Sequence, residues 1–467
     1  MWNKTSIICT LGPATSKRNT LLKLIAAGMD VARLNFSHGD LGQHHAFVRL
    51  VRGCAARSGR AVGILQDLPG PKLRAGKLPG DILEIRVGEE LRLSPEPQPG
   101  VKHLPFPDLR LLRALKPGGD VWLADGTAHL KVLRVKGAAA LCRSLSSAVL
   151  RSHCGVNIPG GNLPIAAFTA QDRRYLSFGL QEGVDFVAVS FVGKAADLRA
   201  VRRAMAGARR RPLLVAKIER GPAMQDLPAI VREADAVMVA RGDLGLELPF
   251  AQVPFAQKEI IAECRRQVRP VIVATQMLES MIANPRPTRA ELTDIANAVL
   301  DGADAVMLSG ETSVGKHPLE AVSALACVVC EAEKHLKPEI GFDYPFASVK
   351  ARSIAAAAVA LAEGVSARAV VIPTFTGDTV RCVSHLKPRC PIVALCAPGR
   401  ESGLTLLYGV RAFPVPGLGR DLEAVFAVSR RVARRMGLAR RGGAIVVSCS
   451  MPGRRFAGDR IVTAVTV

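Results

Sequence analysis

The residues able to do chemistry fall at the ends of short apolar runs, and within a run they alternate. Arg33, Asn35 and Ser37 are spaced two apart, as are Lys217 and Glu219, so each set shares one side of an extended chain. Other runs end at Asp67, at Arg241-Gly242-Asp243, at Thr275-Gln276 and at Ser309-Gly310-Glu311. Glu219 and Asp243 supply two carboxylates. That suits Mg2+ (or Mn2+), which takes a few carboxylates and completes its shell with substrate oxygens and water. Lys217 adds a point charge and Arg33 a planar fork matched to phosphate. The Gly242-Asp243 turn offers backbone N–H donors to an anion. Together these serve phosphoryl transfer, where catalysis is positioning and charge stabilisation. Any one Lys-x-Glu pair is as readily a structural ion pair. Six polar ends on one rim are not explained by packing, because burying them costs free energy unless they meet partners or ligands.

Such a rim needs a scaffold. Eight β-rich runs are Thr5–Gly12, Asp30–Phe36, Ala61–Leu68, Phe186–Val192, Leu213–Glu219, Ala236–Gly242, Pro270–Gln276 and Ala305–Glu311. They alternate with helical stretches such as Thr20–Gly28, Pro254–Val268 and Arg289–Leu300. Eight β/α repeats predict a closed parallel barrel, the (β/α)8 or TIM barrel, with chemistry at the carboxyl ends of the strands. The alternation breaks between Arg74 and Pro159. Gly, Pro and short alternating runs there, Asp81–Val87 and Leu130–Val135 among them, predict an all-β domain inserted after the third strand. After Pro338 a second series begins with helix Val349–Glu363. Its strands are read at Ala369–Pro373, Ile392–Cys396, Ala412–Val415, Ala444–Cys449 and Ile461–Val467, which predicts a separate doubly wound α/β domain. The expected division is 1–75 with 159–340 for the barrel, 76–158 for the insert and 341–467 for the C-terminal domain.

Composition narrows the function classes. Of 467 residues 49% are hydrophobic and 22% charged, which allows several cores and excludes a disordered chain. The formal charge of +23 points to anionic partners. Roughly half of the excess lies in the last quarter, around Arg430, Arg431, Arg434, Arg435, Arg440 and Arg441. Aromatics are only 4%, poor for base stacking, so nucleic acid is not an expected partner. No apolar run has membrane length and the start is not signal-like; no membrane association is expected. The 11 scattered cysteines read as reduced thiols of a cytoplasmic protein, and Cys327-x-x-Cys330 as helix packing. Gly310–His317 nearly matches a P-loop, but His317 replaces the hydroxyl residue that would hold Mg2+.

At these residues the chain resembles the pyruvate kinase family. The matching stretches are Ile7–Pro13, Asp30–Gly39, Ala216–Glu219, Val237–Glu247, Ala274–Met281, Pro285–Glu291, Ala296–Ala305 and Met307–Thr312, in order along nearly the whole chain. The resemblance implies the same three-domain architecture. It implies Mg2+-dependent transfer of the phosphoryl group of phosphoenolpyruvate to ADP, giving pyruvate and ATP, the last step of glycolysis. It implies Glu219 and Asp243 as metal ligands and Lys217 as the lysine that neutralises the transferring group. Thr275 stands where the enol is protonated, with Ser309 and Glu311 in the network feeding that proton. Arg33 and Arg74 belong at the phosphates, with Pro13 and His38 beside the nucleotide. The N–H groups of Ala240 and Gly242, next to Asp243, would hold the substrate carboxylate. A homotetramer is also implied.

Some positions depart from the family pattern. Asn35, Ser37 and Asp67 match its monovalent-cation site, with the Leu68 carbonyl available, but Lys72 stands where K+-requiring members have Glu. An ammonium there can take the cation's place, so activity is expected without K+. A nucleotide-holding Lys near Gln171 is missing. Asp125 matches an acidic turn of the insert able to close over the site. In the C-terminal domain Thr374, Thr376, Gly377 and Thr379 resemble a phosphate-binding effector loop, with a second loop at Pro452–Gly458. A Gly turn capping a helix is the alternative, and Phe375 is not the basic residue of some fructose-1,6-bisphosphate binders. AMP, a sugar monophosphate or no effector all stay open. Two rival classes are a metal-dependent aldolase or lyase and a basic nucleic-acid-binding protein. The first has no need of Lys217 with an insert and an effector domain; the second predicts steeply salt-dependent binding.

Overall fold

The computed structural model of the chain describes residues 3–71, 73–97, 101–124, 126–160, 166–338, 349–417, 421–450 and 459–467. Lys72, Asp125 and the Pro452–Gly458 loop lie outside the described residues. Eight strands close into a parallel barrel in chain order: Ser6–Thr10, Met29–Asn35, Gly63–Leu68, Phe186–Val189, Leu213–Ile218, Ala236–Ala240, Val271–Ala274 and Ala305–Leu308. Burial on both faces is what the unbroken apolar runs require. Ile8, Val31, Leu65, Ala188, Val215, Met238, Ile272 and Met307 fill the barrel interior. The alternate residues meet a ring of helices outside. Two of those helices start at capping boxes: Thr169 with Asp172 before Ala170–Glu182, and Thr288 with Glu291 before Arg289–Leu300.

The strands stop earlier than the sequence pattern suggests. Four of them end at Ile218, Ala240, Ala274 and Leu308, and the polar residues beyond sit in turns or in the short helices Arg241–Glu247 and Gly310–Ser313. At the widening mouth the backbone finds side-chain acceptors instead of a neighbouring strand. Phe191 N–H goes to Glu219, Gly242 N–H to Thr275 and Ser309 N–H to Glu311.

The insert builds its own core from two sheets, one of two strands and one of six. It is not wholly β. Leu109–Ala114 is a helix that buries Leu111 and Leu112, a stretch of good helix formers without a β-branched residue. The C-terminal sheet runs, edge to edge, Val410–Pro414, Ile392–Cys396, Val370–Pro373, Ala444–Ser450 and Arg460–Thr466. Separate cores cover its two faces, as a doubly wound domain requires. The last strand is antiparallel, because the link from Ser450 to Arg460 is too short for a crossover of about a dozen residues.

This domain is fastened to the base of the barrel. Leu406 joins the barrel's interior core. Three buried aspartates at the strand starts reach across. Asp30 binds Arg411, Asp185 accepts from Ser402 Oγ at 2.5 Å, and Asp304 pairs with Lys387 at 2.6 Å. His385 is buried in the same interface. Burial, helped by Arg265 and Lys387 and opposed by Asp304, lowers its pKa to about 4. The folded imidazole stays neutral where the unfolded chain, titrating near pH 6.5, takes up a proton. Its contribution is therefore intact above pH 6.5 and is lost as the pH falls towards 4. Between pH 7 and pH 5 this one group costs about 2 kcal/mol of stability. His385→Gln should reduce the acid-induced loss by that amount in urea unfolding at the two pH values. An undiminished loss in the variant would contradict the assignment.

Candidate active site

Eight positions form a layer just above the apolar interior, each two residues beyond an inward-facing one. They are Thr10, Arg33, Asp67, Ser190, Lys217, Ala240, Ala274 and Ser309. Six are polar, and five of these, Thr10, Arg33, Asp67, Ser190 and Lys217, lie on successive strands and interlock. Arg33 Nε lies 2.7 Å from Asp67 Oδ2, Lys217 Nζ 3.2 Å from Asp67 Oδ1, and Lys217 Nζ 2.8 Å from Glu219 Oε1. These side chains are between 1% and 11% exposed. Around them Arg33 Nη1 donates to Thr10 Oγ1 at 3.0 Å and Lys217 Nζ to Ser190 Oγ at 2.7 Å. Ser190 Oγ in turn donates to the Leu68 carbonyl at 2.7 Å. Thr10 and Ser190 were missed by the sequence reading, although the alternation Phe186, Ala188, Ser190 points to the second.

The electrostatics follow from burial and from this pairing. Burial pushes the Asp67 carboxyl up, but Lys217 and Arg33 outweigh it and hold the group below its ordinary value. Burial opposes the Lys217 charge, yet Asp67 and Glu219 overcome it and keep the ammonium protonated well past its usual range. Glu219 is shifted up by burial and by the nearby Asp243 charge, against the pull of Lys217.

The opposite side of the mouth is built from turns. Asp243 sits in the first turn of Arg241–Glu247. Thr275 and Gln276 both have positive φ, +68° and +54°. Each costs about 1–3 kcal/mol and persists only where the surroundings over-determine it. Thr275 Oγ1 accepts the Gly242 N–H at 2.9 Å and donates to the Ala274 carbonyl at 2.6 Å. Of the two N–H groups expected at the substrate carboxylate, that of Gly242 donates to Thr275 Oγ1, and Ala240 ends a strand and is buried. Ala240 fills the barrel layer with a small side chain, where a larger one would crowd the mouth. Glu311 also binds backbone in two loops of the mouth. It is buried and accepts from Ser309 N at 2.7 Å and Leu278 N at 3.1 Å, tying the seventh and eighth loops together. Gly12 needs its lack of a side chain, because a Cβ there would lie 2.5 Å from the Ser313 carbonyl.

The remaining expected residues are more scattered. Asn35 Oδ1 accepts from Ser37 N at 3.1 Å, beside Asp67 on the neighbouring strand. Pro13 opens an exposed turn, and His38 is exposed with its carbonyl 3.0 Å from His44 Nε2. Arg74 is exposed and donates to the His153 carbonyl at 2.9 Å, at the root of the insert. A cleft of about 780 Å3 is lined by Gly126 of the insert together with Arg241, Asp243, Gln276 and Asp294. Among the described residues no three metal-ligating groups cluster, so a cation at Glu219 and Asp243 would draw its other ligands from elsewhere. In the C-terminal domain Gly377 N donates to Thr374 Oγ1 at 2.9 Å and Asp378 N to Thr376 Oγ1 at 3.4 Å. That loop opens on a cleft of about 1170 Å3 that also receives Arg209, Arg210, Arg211, Arg381 and Arg400. Thr379 is the second residue of the following helix, outside the cleft lining.

A model of the pyruvate kinase barrel domain matches residues 2–322, and one of the pyruvate kinase alpha/beta domain matches 352–458. The chain belongs to the pyruvate kinase family. Pyruvate kinase of Mycobacterium tuberculosis is 40% identical over 457 residues, covering 97% of this chain and 96% of the relative. That of Corynebacterium glutamicum is 40% identical over 456 residues, covering 97% and 95%. The crystal structure of a pyruvate kinase from Cryptosporidium parvum matches with a TM-score of 0.92 at 33% identity, over 99% of this chain and 96% of that one. Among the described residues no helix is long and apolar enough to cross a membrane.

The Asp67 carboxylate is the anion between two buried cations, so its removal should be severe. Asp67→Asn is expected to cost about 3–5 kcal/mol in urea unfolding, the range for breaking a buried pair. A loss below about 1 kcal/mol, the level of a surface pair, would mean that the cations are solvated rather than held by Asp67.

Proposed function

We propose that Lys217 is the residue around which this chain transfers the phosphoryl group of phosphoenolpyruvate to ADP, the reaction of the family to which it belongs. The observation that carries this reading is the buried array Arg33–Asp67–Lys217–Glu219. It fixes an ammonium that stays charged and cannot swing away, which is what a transferring phosphoryl group needs from its surroundings. Arg33, pinned through Nε, adds guanidinium N–H donors on the same side.

The donor set also fits a divalent metal. Glu219 and Asp243 are close enough to raise the Glu219 carboxyl, and a cation would relieve that repulsion. Mg2+ (or Mn2+) bound there would supply charge to the phosphoryl oxygens. Thr275, with its hydroxyl fixed between Gly242 N and the Ala274 carbonyl, stands on the far side of the mouth as the group presented to the enol. Ser309 and Glu311 hold the loop behind it. Arg74, Pro13 and His38 are assigned to the nucleotide at the outer rim. Arg74 is attached to the insert's root, so nucleotide contact and closure of the insert would be linked. Lys72, at the sequence position where K+-requiring members have Glu, removes the need for K+. The Thr374–Gly377 loop and the arginine-lined cleft suit a phosphorylated effector. A cytoplasmic homotetramer completes the reading.

The test is a coupled assay for pyruvate from phosphoenolpyruvate and ADP. Turnover should require Mg2+ or Mn2+ and proceed without K+, and Lys72→Glu should create a K+ requirement. No turnover with either metal would refute the function; full dependence of the unmodified chain on K+ would refute the role of Lys72. In the same assay AMP and sugar monophosphates should shift the phosphoenolpyruvate saturation curve. Superimposable curves with all of them would remove the effector.

A further inference from the structure

The most strained backbone in the barrel mouth is the turn after the seventh strand, where two successive non-glycine residues, Thr275 and Gln276, take positive φ. For a β-branched residue that conformation is a clear outlier. One guanidinium holds the turn in place. Arg241 donates from Nε to the Ala274 carbonyl at 3.3 Å, and from Nη2 to the Thr275 carbonyl at 2.6 Å and the Gln276 carbonyl at 3.3 Å. Three consecutive carbonyls thus converge on one side chain. Its Nη1 is clamped by both oxygens of Asp294, at 2.8 and 2.6 Å, and reaches Gln257 Oε1 at 3.4 Å. The Arg241 side chain is 11% exposed.

We propose that Arg241, with Asp294 as its counter-ion, is a positioning residue that forces the turn into the strained form needed to present the Thr275 hydroxyl. The inference rests on the reading of Thr275 given above. Arg241 is the first residue of the short helix that carries Asp243, so one residue sets the spacing between the metal side of the mouth and the Thr275 side. The Gly242 N–H to Thr275 Oγ1 bond is a second tie across the same gap. Asp294 balances the guanidinium charge, so the contribution to the site is geometric. A lysine cannot reproduce it, because an ammonium is a compact point charge without a planar fork. Once released, the turn relaxes towards ordinary φ and carries the hydroxyl off the reacting carbon. A misplacement of about 1 Å is enough to cost about a hundredfold in rate.

The experiment compares Arg241→Lys with the unmodified chain in two reactions. The first is steady-state pyruvate formation. The second is exchange at C3 of pyruvate in D2O with Mg2+ and ATP, followed by proton NMR. There the C3–H bond breaks, its electron pair enters the enolate, the proton leaves to solvent and a deuteron re-forms the bond. Both kcat and the exchange rate should fall by about ten- to a hundredfold. The KM for phosphoenolpyruvate and the affinity for Mn2+, read by electron paramagnetic resonance, should stay within about threefold. Unchanged kcat and exchange, or a loss shared equally by Mn2+ binding, would overturn the proposal. Asp294→Asn is measured in the same way and decides the matter should Arg241→Lys fail to fold. Absence of pyruvate formation by the unmodified chain would instead sink the reading of the site itself.

Discussion

One carboxylate organises the mouth of this barrel. Asp67 stands between Arg33 and Lys217, and each of its oxygens holds one of the two cations. The barrel's register makes this possible: Asp67 pairs across to Asn35 on one side and Ala188 on the other. The second and fifth strands therefore deliver their cations to the third from both directions. Charges so deeply buried add little net stability compared with apolar packing of the same volume. What the array provides is a lysine of fixed position and fixed charge, with Ser190 and Glu219 completing its coordination.

The two sides of the mouth are built on different physical terms. On the Lys217 side, rigid strands carry the functional groups and charge pairing fixes their orientation. On the Thr275 side the strands have ended, and strained turns are held by Arg241, Glu311 and the Gly242 N–H. A phosphoryl group needs an immobile field, which strands supply well. A hydroxyl held at one particular angle, as at Thr275, is reached more easily by a turn, at the expense of strain. At the other end of the barrel Asp30, Asp185 and Asp304 fasten the C-terminal domain. Part of the +23 charge thus works at that seam, where Arg411 and Lys387 pair with these carboxylates and further arginines line the adjoining cleft.

Much of the scaffold could be read from the residues alone. Strands buried on both faces must be continuously apolar, so the eight runs stood out, and alternation placed Arg33, Asp67 and Lys217 on one inner side. Strand ends could not be read in the same way. Leaving the ladder at Ala240 or Ala274 depends on acceptors brought from distant segments, such as Asp294 for Arg241. Ser190 and Thr10 look like ordinary small polar residues until the closed barrel sets them beside Lys217 and Arg33. The helix Leu109–Ala114 was hidden by the Pro-rich stretch before it, and the antiparallel last strand is dictated by the length of a link rather than by a pattern. Glu311 illustrates the limit of residue type as a guide: its carboxylate also accepts two backbone N–H groups, a bracing contact that its residue type alone does not announce.

The most direct test is single-turnover pyruvate formation by Lys217→Met at saturating phosphoenolpyruvate, ADP and Mg2+, alongside thermal unfolding of the same preparation. The account predicts a folded protein whose rate falls by about a hundredfold or more, as for loss of a preorganised charge at a reacting centre. Turnover close to that of the unmodified chain would contradict it.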